Sequence, residues 1–92
     1  MTTRAEIHTR VLKVIAEHFA HTPGKECPEV TEASALMGAP PHGLGFDSLD
    51  GIEIVLAIED EFLVDIDDDA AEGLLTVAHI VHFIAGQLAV AV

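Results

Sequence analysis

The chain has 92 residues, enough for one domain with a modest core; half of them are apolar, but only four, all phenylalanine, are aromatic. Sixteen acidic side chains against four basic ones give a formal net charge of −12, which argues against nucleic acid and anionic membranes as partners and favours basic ones. No signal-peptide pattern and no apolar run near the ~20 residues that span a bilayer are present, so we expect no membrane insertion and a cytoplasmic monomer, with the single Cys27 as an incidental thiol.

The first predicted element is a helix over about residues 3–20. Thr3 can cap its N-terminus, and Glu6, three residues later, completes a capping-box pattern. The sequence HTPG at residues 21–24 supplies the proline and glycine that end the helix. Apolar residues recur at helical spacing and are predicted to face the core: Ile7, Val11, Val14, Ile15 and Phe19.

A long loop is predicted over about residues 22–46, where proline, glycine and small residues interrupt the helical periodicity. A loop of this length is uncommon in a compact domain unless it has a function or is held by its own side chains. Four apolar residues are predicted to hold it: Val30, Leu36, Met37 and Leu44.

The second helix is predicted over about residues 48–62 and has a wide apolar face. Its core residues are predicted to be Leu49, Ile52, Val55 or Leu56, Ile58 and Phe62. Periodicity does not decide which of Ile52, Val55 and Leu56 face inward, and we expect that most of the three do.

A short third helix over about residues 68–73, capped near Asp67, and a last helix over about residues 77–89, capped by Thr76, complete the predicted elements. The core stripe of the last helix is predicted to be Val77, Ile80, Val81, Ile84 and Leu88. Because no strand or hairpin pattern competes with these helices, we expect an all-α fold. It is a small four-helix bundle, with three longer helices, one short helix and a long first loop, in a single domain over residues 1–92.

One serine stands between carboxylates where the second helix begins, in the sequence GFDSLD of residues 45–50. Asp47 and Ser48 both suit a helix N-terminus, and capping alone would explain such a serine. A catalytic serine is not expected, because Phe46 and Asp50 replace the glycines of a hydrolase elbow and the carboxylates disfavour an alkoxide. A third role is modification of the hydroxyl by another enzyme, since a helix N-terminus tolerates a phosphate ester.

The segment GFDSLDGIEIVLAIEDEF, with the acidic DIDDDAAEGLLTV after it, resembles the acyl carrier proteins, the small four-helix phosphopantetheine-binding carriers of fatty-acid, polyketide and related pathways. Their attachment motif is glycine, any residue, then Asp-Ser-Leu, and Gly45, Asp47, Ser48 and Leu49 match it. Acidic residues of the second helix also match the family: Asp50, Glu53, Glu59, Asp60 and Glu61.

The resemblance implies that a separate phosphopantetheinyl transferase uses coenzyme A and magnesium to attach 4′-phosphopantetheine to Ser48. The thiol of this covalent arm is then expected to carry an acyl group as a thioester to acyl-transferring, condensing or other acyl-processing enzymes, and the chain itself to catalyse nothing. Three departures from the usual pattern favour a specialised pathway over housekeeping fatty-acid synthesis: the extra loop residues GAPPHG, Gly51 in the first turn of the second helix, and six histidines.

Eleven of the 16 acidic residues lie between positions 47 and 72. A solvated, solubilising face would explain an ordinary run of this kind. Here, however, the acids of the second helix recur along one ridge that begins at Ser48, so a basic partner that docks there meets the serine at a fixed end. The predicted recognition residues are Asp50, Glu53, Leu56 and Asp60.

Two patterns raise the question of metal binding, but no metal site is predicted. Asp65, Asp67 and Asp69 resemble the start of an EF-hand loop, yet Ala70 and Thr76 stand where that loop needs glycine and glutamate. Two histidine pairs have a spacing of three, and we interpret them as helix-end or surface residues because no His/Glu catalytic pattern accompanies them. These pairs are His18 with His21 and His79 with His82.

Two alternative functions stay open. An aminoacyl or peptidyl carrier would have the same covalent arm and a different cargo. A non-catalytic acidic interaction module would use Ser48 only at the helix cap and would carry no prosthetic group. Modification of Ser48 distinguishes the module from both kinds of carrier.

Overall fold

The computed structural model describes residues 3–21, 24, 29–37 and 43–88. Within them are four helices: α1 Arg4–Ala20, α2 Ser48–Phe62, α3 Asp68–Glu72 and α4 Val77–Gln87. The described residues contain isolated bridges but no strand, so the predicted all-α bundle is confirmed. Cys27 and most of the extra loop sequence GAPPHG lie outside the described residues. In the part of the chain that is described, no helix has the length and apolar character to cross a membrane.

Side chains that precede the helices satisfy the first backbone amides. Thr3 Oγ1 accepts a hydrogen bond from Glu6 N, and Thr76 Oγ1 accepts one from His79 N. Asp67 Oδ1 accepts one from Ala70 N over 2.7 Å and starts α3. Since such caps are short-range features, the sequence pattern is enough to predict them.

The core lies around α1, which packs against both α2 and α4. All five α1 residues that the sequence predicts as core are buried, and so are Val77, Ile80, Val81 and Ile84 of α4. Leu88, the last residue predicted for this stripe, is partly buried against the same cluster. Each of these two helices has one apolar stripe, and periodicity therefore predicts the buried face correctly.

The prediction of the buried face of α2 is partly wrong. Ile58 and Phe62 are buried as predicted, but the third buried position is Ile54, which was not predicted. Two residues predicted as core, Leu49 and Ile52, are exposed. Of the alternatives Val55 and Leu56, Val55 packs partly buried against the core and Leu56 is exposed. The helix is apolar around most of its circumference, so periodicity cannot choose between the stripe that contains Ile54 and the neighbouring stripe that contains Ile52.

Arg10 joins α1 to the last turn of α2. Its guanidinium lies 2.8 Å from a carboxylate oxygen of Glu61 and also donates to the Glu61 carbonyl oxygen. The same guanidinium lies over the Phe62 ring, 4.4 Å from its centroid. The hydrogen bond from Arg10, with smaller contributions from the charges of Lys13 and Arg10, holds the pKa of Glu61 below its ordinary value.

The long loop is held by three of the four predicted apolar residues. Leu36 and Leu44 are buried, and Val30 packs partly against the core. Met37 is exposed, so its predicted role in holding the loop is wrong. Phe46 is also buried, at the point where the loop enters α2.

Candidate functional site

The chain that leads into α2 is fixed by backbone hydrogen bonds on both sides of a glycine. Leu44 N donates to Ala35 O over 2.9 Å, and Phe46 N donates to Leu36 O over 3.1 Å. Gly45, between them, is exposed and has φ +73°, a left-handed conformation that side chains disfavour. The backbone conformation at position 45 therefore favours glycine, the residue that matches the family's motif there.

The same loop segment is fastened to the start of α4. Val77 N donates to Ser34 O over 3.1 Å, and Leu36 N donates to Leu75 O over 3.0 Å. Because α4 packs on α1, the residues that precede α2 are anchored to the core. The first turn of α2 consequently has a defined position on the bundle.

Asp47 is the N-cap of α2, and Ser48 is its first helical residue. Asp47 Oδ1 accepts from Asp50 N over 2.8 Å, and Asp50 Oδ2 accepts in return from Asp47 N over 3.1 Å, which completes a capping box. The capping position, which the sequence pattern allowed for either Asp47 or Ser48, thus belongs to Asp47. Asp47 and Leu49, the neighbours of Ser48, are both exposed.

His18, in the last turn of α1, contacts the first turn of α2. Its Nε2 lies 2.9 Å from Asp50 Oδ1, and its ring packs edge-on against Phe46 with 5.1 Å between the centroids. The side chains of His18 and Asp50 are only 11% and 13% exposed. Of the two interpretations, helix-end or surface histidine, the structure supports the first: His18 lies in the last turn of α1, with most of its side chain covered. No sequence signal pairs it with Asp50, because the two residues are 32 positions apart on different helices.

The predicted recognition residues do not share one environment. Glu53, Leu56 and Asp60 are exposed on α2. Asp50 instead directs its carboxylate toward His18 and the helix cap. Three of the four residues are thus accessible to a partner, and the fourth mainly shapes the start of the helix.

An apolar cavity of about 550 Å³ opens beside α2, between this helix, the loop and α3. Ile52, which the sequence assigned to the core, lines this cavity, and so do Val55 and Leu56. Gly51 also lines the cavity, one turn from Ser48. Apart from its chain neighbours and the nearby backbone of α2, no atom lies within 4 Å of the position that a Cβ atom would take there. Glu59 stands at the cavity too, where its carboxylate accepts a hydrogen bond from Ile66 N over 2.9 Å.

Other polar residues that were considered for metal binding have local contacts. Asp67 caps α3, as described above. His21 is exposed and its ring Nδ1 contacts Glu17 O at 2.7 Å, and the exposed His79 accepts a hydrogen bond from Leu75 N over 3.3 Å. These contacts support the interpretation of His21 and His79 as helix-end histidines.

One protein-family model matches the segment that contains these residues. Residues 40–84 match the family model described as "Phosphopantetheine attachment site", and this segment includes the motif at Ser48, all of α2 and α3, and most of α4. Residues 40–84 therefore belong to the phosphopantetheine attachment-site family, and the resemblance to the acyl carrier proteins is confirmed. The predicted cofactor is confirmed as well: this domain is the site of covalent 4′-phosphopantetheine attachment, and its class is that of carrier domains.

Proposed function

We propose that Ser48 is the attachment residue and that the chain is a non-catalytic acyl carrier protein. The observation that carries the proposal is the motif of Gly45, Asp47, Ser48 and Leu49 at the N-terminus of α2, inside the matched segment. Ser48 is the serine of that motif. The chain's other serine, Ser34, is buried and its Oγ accepts a hydrogen bond from Thr31 N.

The residues around Ser48 suit a bulky phosphate ester. Both neighbours, Asp47 and Leu49, are exposed, so a substituent at this turn meets solvent. The N-terminal end of α2 carries a partial positive charge that favours an anion, while Gly45 and Phe46 fix the backbone before it. These features support attachment at this serine without any rearrangement of the core.

In the proposed modification the Ser48 hydroxyl oxygen bonds to the phosphorus next to the pantetheine of coenzyme A. The pyrophosphate bridge breaks, the nucleotide half leaves and the hydroxyl proton is lost, with catalysis by a separate magnesium-dependent transferase. The attached arm supplies a thiol that holds cargo as a thioester. The chain's own contribution is to hold the arm at the head of α2 and to present a surface to the enzymes that use it.

The apolar cavity favours an acyl cargo over an aminoacyl or peptidyl one. An aliphatic chain gains free energy when it leaves water for a surface of Ile52, Val55 and Leu56, whereas a charged amino group would lose its hydration there. Gly51 adds open space near Ser48. Because glycine at position 51 departs from the family pattern, this open space supports a cargo that differs from the usual one and hence a specialised pathway.

Partner enzymes are proposed to dock on the exposed side of α2. Glu53 and Asp60 offer charge to a basic surface, and Leu56 offers an apolar contact between them. Asp50 contributes indirectly, through the cap that it forms with Asp47. Ile52 and Leu49, which the sequence assigned to the core, extend the apolar part of this surface.

Intact mass tests the attachment directly. The protein is incubated with coenzyme A, magnesium and a broad-specificity phosphopantetheinyl transferase, and one arm's mass is expected on wild type and on Ser34→Ala but not on Ser48→Ala. Ser34→Ala is the matched control because it removes the other serine. Modification of Ser48→Ala would reject Ser48 as the attachment site. No modification of wild type, while a known carrier reacts in the same tube, would bring the interaction-module alternative forward.

Thermal unfolding of loaded protein tests the cargo. Saturated acyl chains of increasing length on the arm are expected to raise the melting temperature, and a glycyl group is not. Ala71→Phe, which places a ring where the cavity is lined, should remove the dependence on chain length, whereas Ala78→Phe on α4, outside the cavity lining, should retain it. A melting temperature that does not depend on chain length would support an aminoacyl or peptidyl cargo.

Charge reversal tests the docking surface. Glu53→Lys and Asp60→Lys are expected to lower the transferase kcat/KM and its salt dependence, because they weaken long-range attraction. Glu29→Lys makes the same change of charge at an exposed loop position away from α2 and should have a smaller effect. Equal losses of kcat/KM at all three positions would indicate that the transferase responds to the net charge of the chain and not to a defined docking surface on α2.

A further inference from the structure

The contact between α1 and α2 brings together three side chains that can bind a metal ion. His18, Asp50 and Glu53 each offer a ligand atom, and these atoms all lie within 4.8 Å of one another. His18 Nε2 is 2.9 Å from Asp50 Oδ1, and His18 Nδ1 is 3.6 Å from Glu53 Oε2. The histidine spacings along the sequence do not indicate this group, because its members come from two helices.

Two of the three ligands are held by contacts that a metal ion would not disturb. Phe19 and Phe46 pack edge-on against the His18 ring, with centroid distances of 6.3 and 5.1 Å. Asp50 Oδ2 is held by Asp47 N in the capping box, which leaves Oδ1 directed at the imidazole. A site whose ligands are already oriented loses little side-chain entropy when an ion binds.

The third ligand completes the set without moving the backbone. Glu53 lies three residues after Asp50, one turn along the same side of α2, and its side chain is 53% exposed. Its ligand oxygen already lies within 4.8 Å of the ligand atoms of His18 and Asp50. Solvent can reach the ion through the same opening and supply a water ligand.

The distances and the charges fit a transition-metal ion. With zinc–ligand bonds of roughly 2.0–2.2 Å, neighbouring ligand atoms of a tetrahedral ion are about 3.3 Å apart. This separation lies between the 2.9 Å from His18 Nε2 to Asp50 Oδ1 and the 4.8 Å within which all three ligand atoms lie. Two carboxylates neutralise a divalent charge, and a chain with a net charge of −12 attracts cations. The imidazole favours zinc over magnesium and calcium, which prefer oxygen ligands alone.

We propose that His18, Asp50 and Glu53 form a zinc-binding site that links the end of α1 to the first turn of α2, beside Ser48. The ion replaces the hydrogen bond between His18 Nε2 and Asp50, and the proton of that bond is released to solvent. Zinc then fixes the relative position of the two helices at the head of α2. This inference does not depend on attachment of the phosphopantetheine arm.

Calorimetric titration of chelator-treated protein with Zn²⁺ tests the site. One ion per chain is expected to bind in the presence of millimolar magnesium, with its affinity reduced at least about tenfold in His18→Gln and in Glu53→Gln. The double variant His79→Gln/His82→Gln removes two exposed histidines elsewhere and should bind as wild type does. Glu53→Gln changes a half-exposed side chain, so it tests the site even if His18→Gln folds poorly.

Thermal unfolding supplies a second readout. Zinc is expected to raise the melting temperature of wild type and of the His79/His82 double variant, and to have little effect on Glu53→Gln. The proposal is overturned by absence of binding up to millimolar zinc, by displacement of zinc by magnesium, or by binding that persists in both site variants.

Discussion

Replacing Ile54 by alanine is expected to destabilise the fold far more than replacing Ile52, although both are isoleucines on α2, two positions apart. Ile54 is 1% exposed and Ile52 is 58% exposed. Ile→Ala removes three carbon groups, which at about 0.8 kcal/mol each give roughly 2.4 kcal/mol for a fully buried side chain. The cavity left in the core increases this, so Ile54→Ala should lower the unfolding free energy by about 3 kcal/mol.

Ile52→Ala is the matched control. It removes the same atoms from a mostly solvated position, and alanine is the better helix former, so the expected change is within about 0.5 kcal/mol of zero. Urea unfolding followed by circular dichroism measures both changes as shifts of the midpoint at constant slope. Equal losses for the two variants, or a larger loss for Ile52→Ala, would show that α2 buries the other stripe and would refute the assignment of Ile52 to the cavity and docking surface.

Three further perturbations test local features of the fold. Leu63 ends α2 at φ 55° and is 89% exposed, so Leu63→Gly should relieve the left-handed conformation and stabilise by about 1 kcal/mol; destabilisation would contradict this. The lowered pKa of Glu61 means that its contribution to stability is complete above the ordinary value of 4.5 and is lost as the pH falls through the folded-state value. Arg10→Gln should therefore reduce the loss of unfolding free energy on acidification, measured by urea denaturation at several pH values. The control Arg4→Gln should leave that loss unchanged. Finally, millimolar magnesium or added salt should raise the melting temperature by screening the acids of positions 47–72, and an unchanged or lower value would count against repulsion among them.

The features that the sequence predicts well are those that depend on residues close together in the chain. Thr3, Asp67 and Thr76 cap helices because an oxygen-bearing side chain precedes a helical run by a fixed offset. The buried faces of α1 and α4 follow from a single apolar stripe on each helix. The resemblance to the phosphopantetheine-binding family is equally local, because it is visible in a few consecutive residues around Ser48.

The features that the sequence does not predict depend on which elements pack together. The choice of Ile54 over Ile52 is made by α1, which covers one of two apolar stripes of α2 and leaves the other open. Met37 is an apolar loop residue that finds no place in the core. The pairing of His18 with Asp50 requires the end of α1 to meet the start of α2, which no local pattern encodes.

The departures of α2 from local rules concentrate where function is proposed. A glycine in the first helical turn weakens a helix, yet Gly51 lies where the cavity opens near Ser48. Large aliphatic side chains are usually buried, yet Ile52 and Leu56 line that cavity while remaining more than half exposed. A sequence selected only for stability would place alanine or a polar residue at each position. Helix α2 thus combines one buried stripe that stabilises the bundle with an exposed apolar and acidic surface that suits a cargo and its partner enzymes.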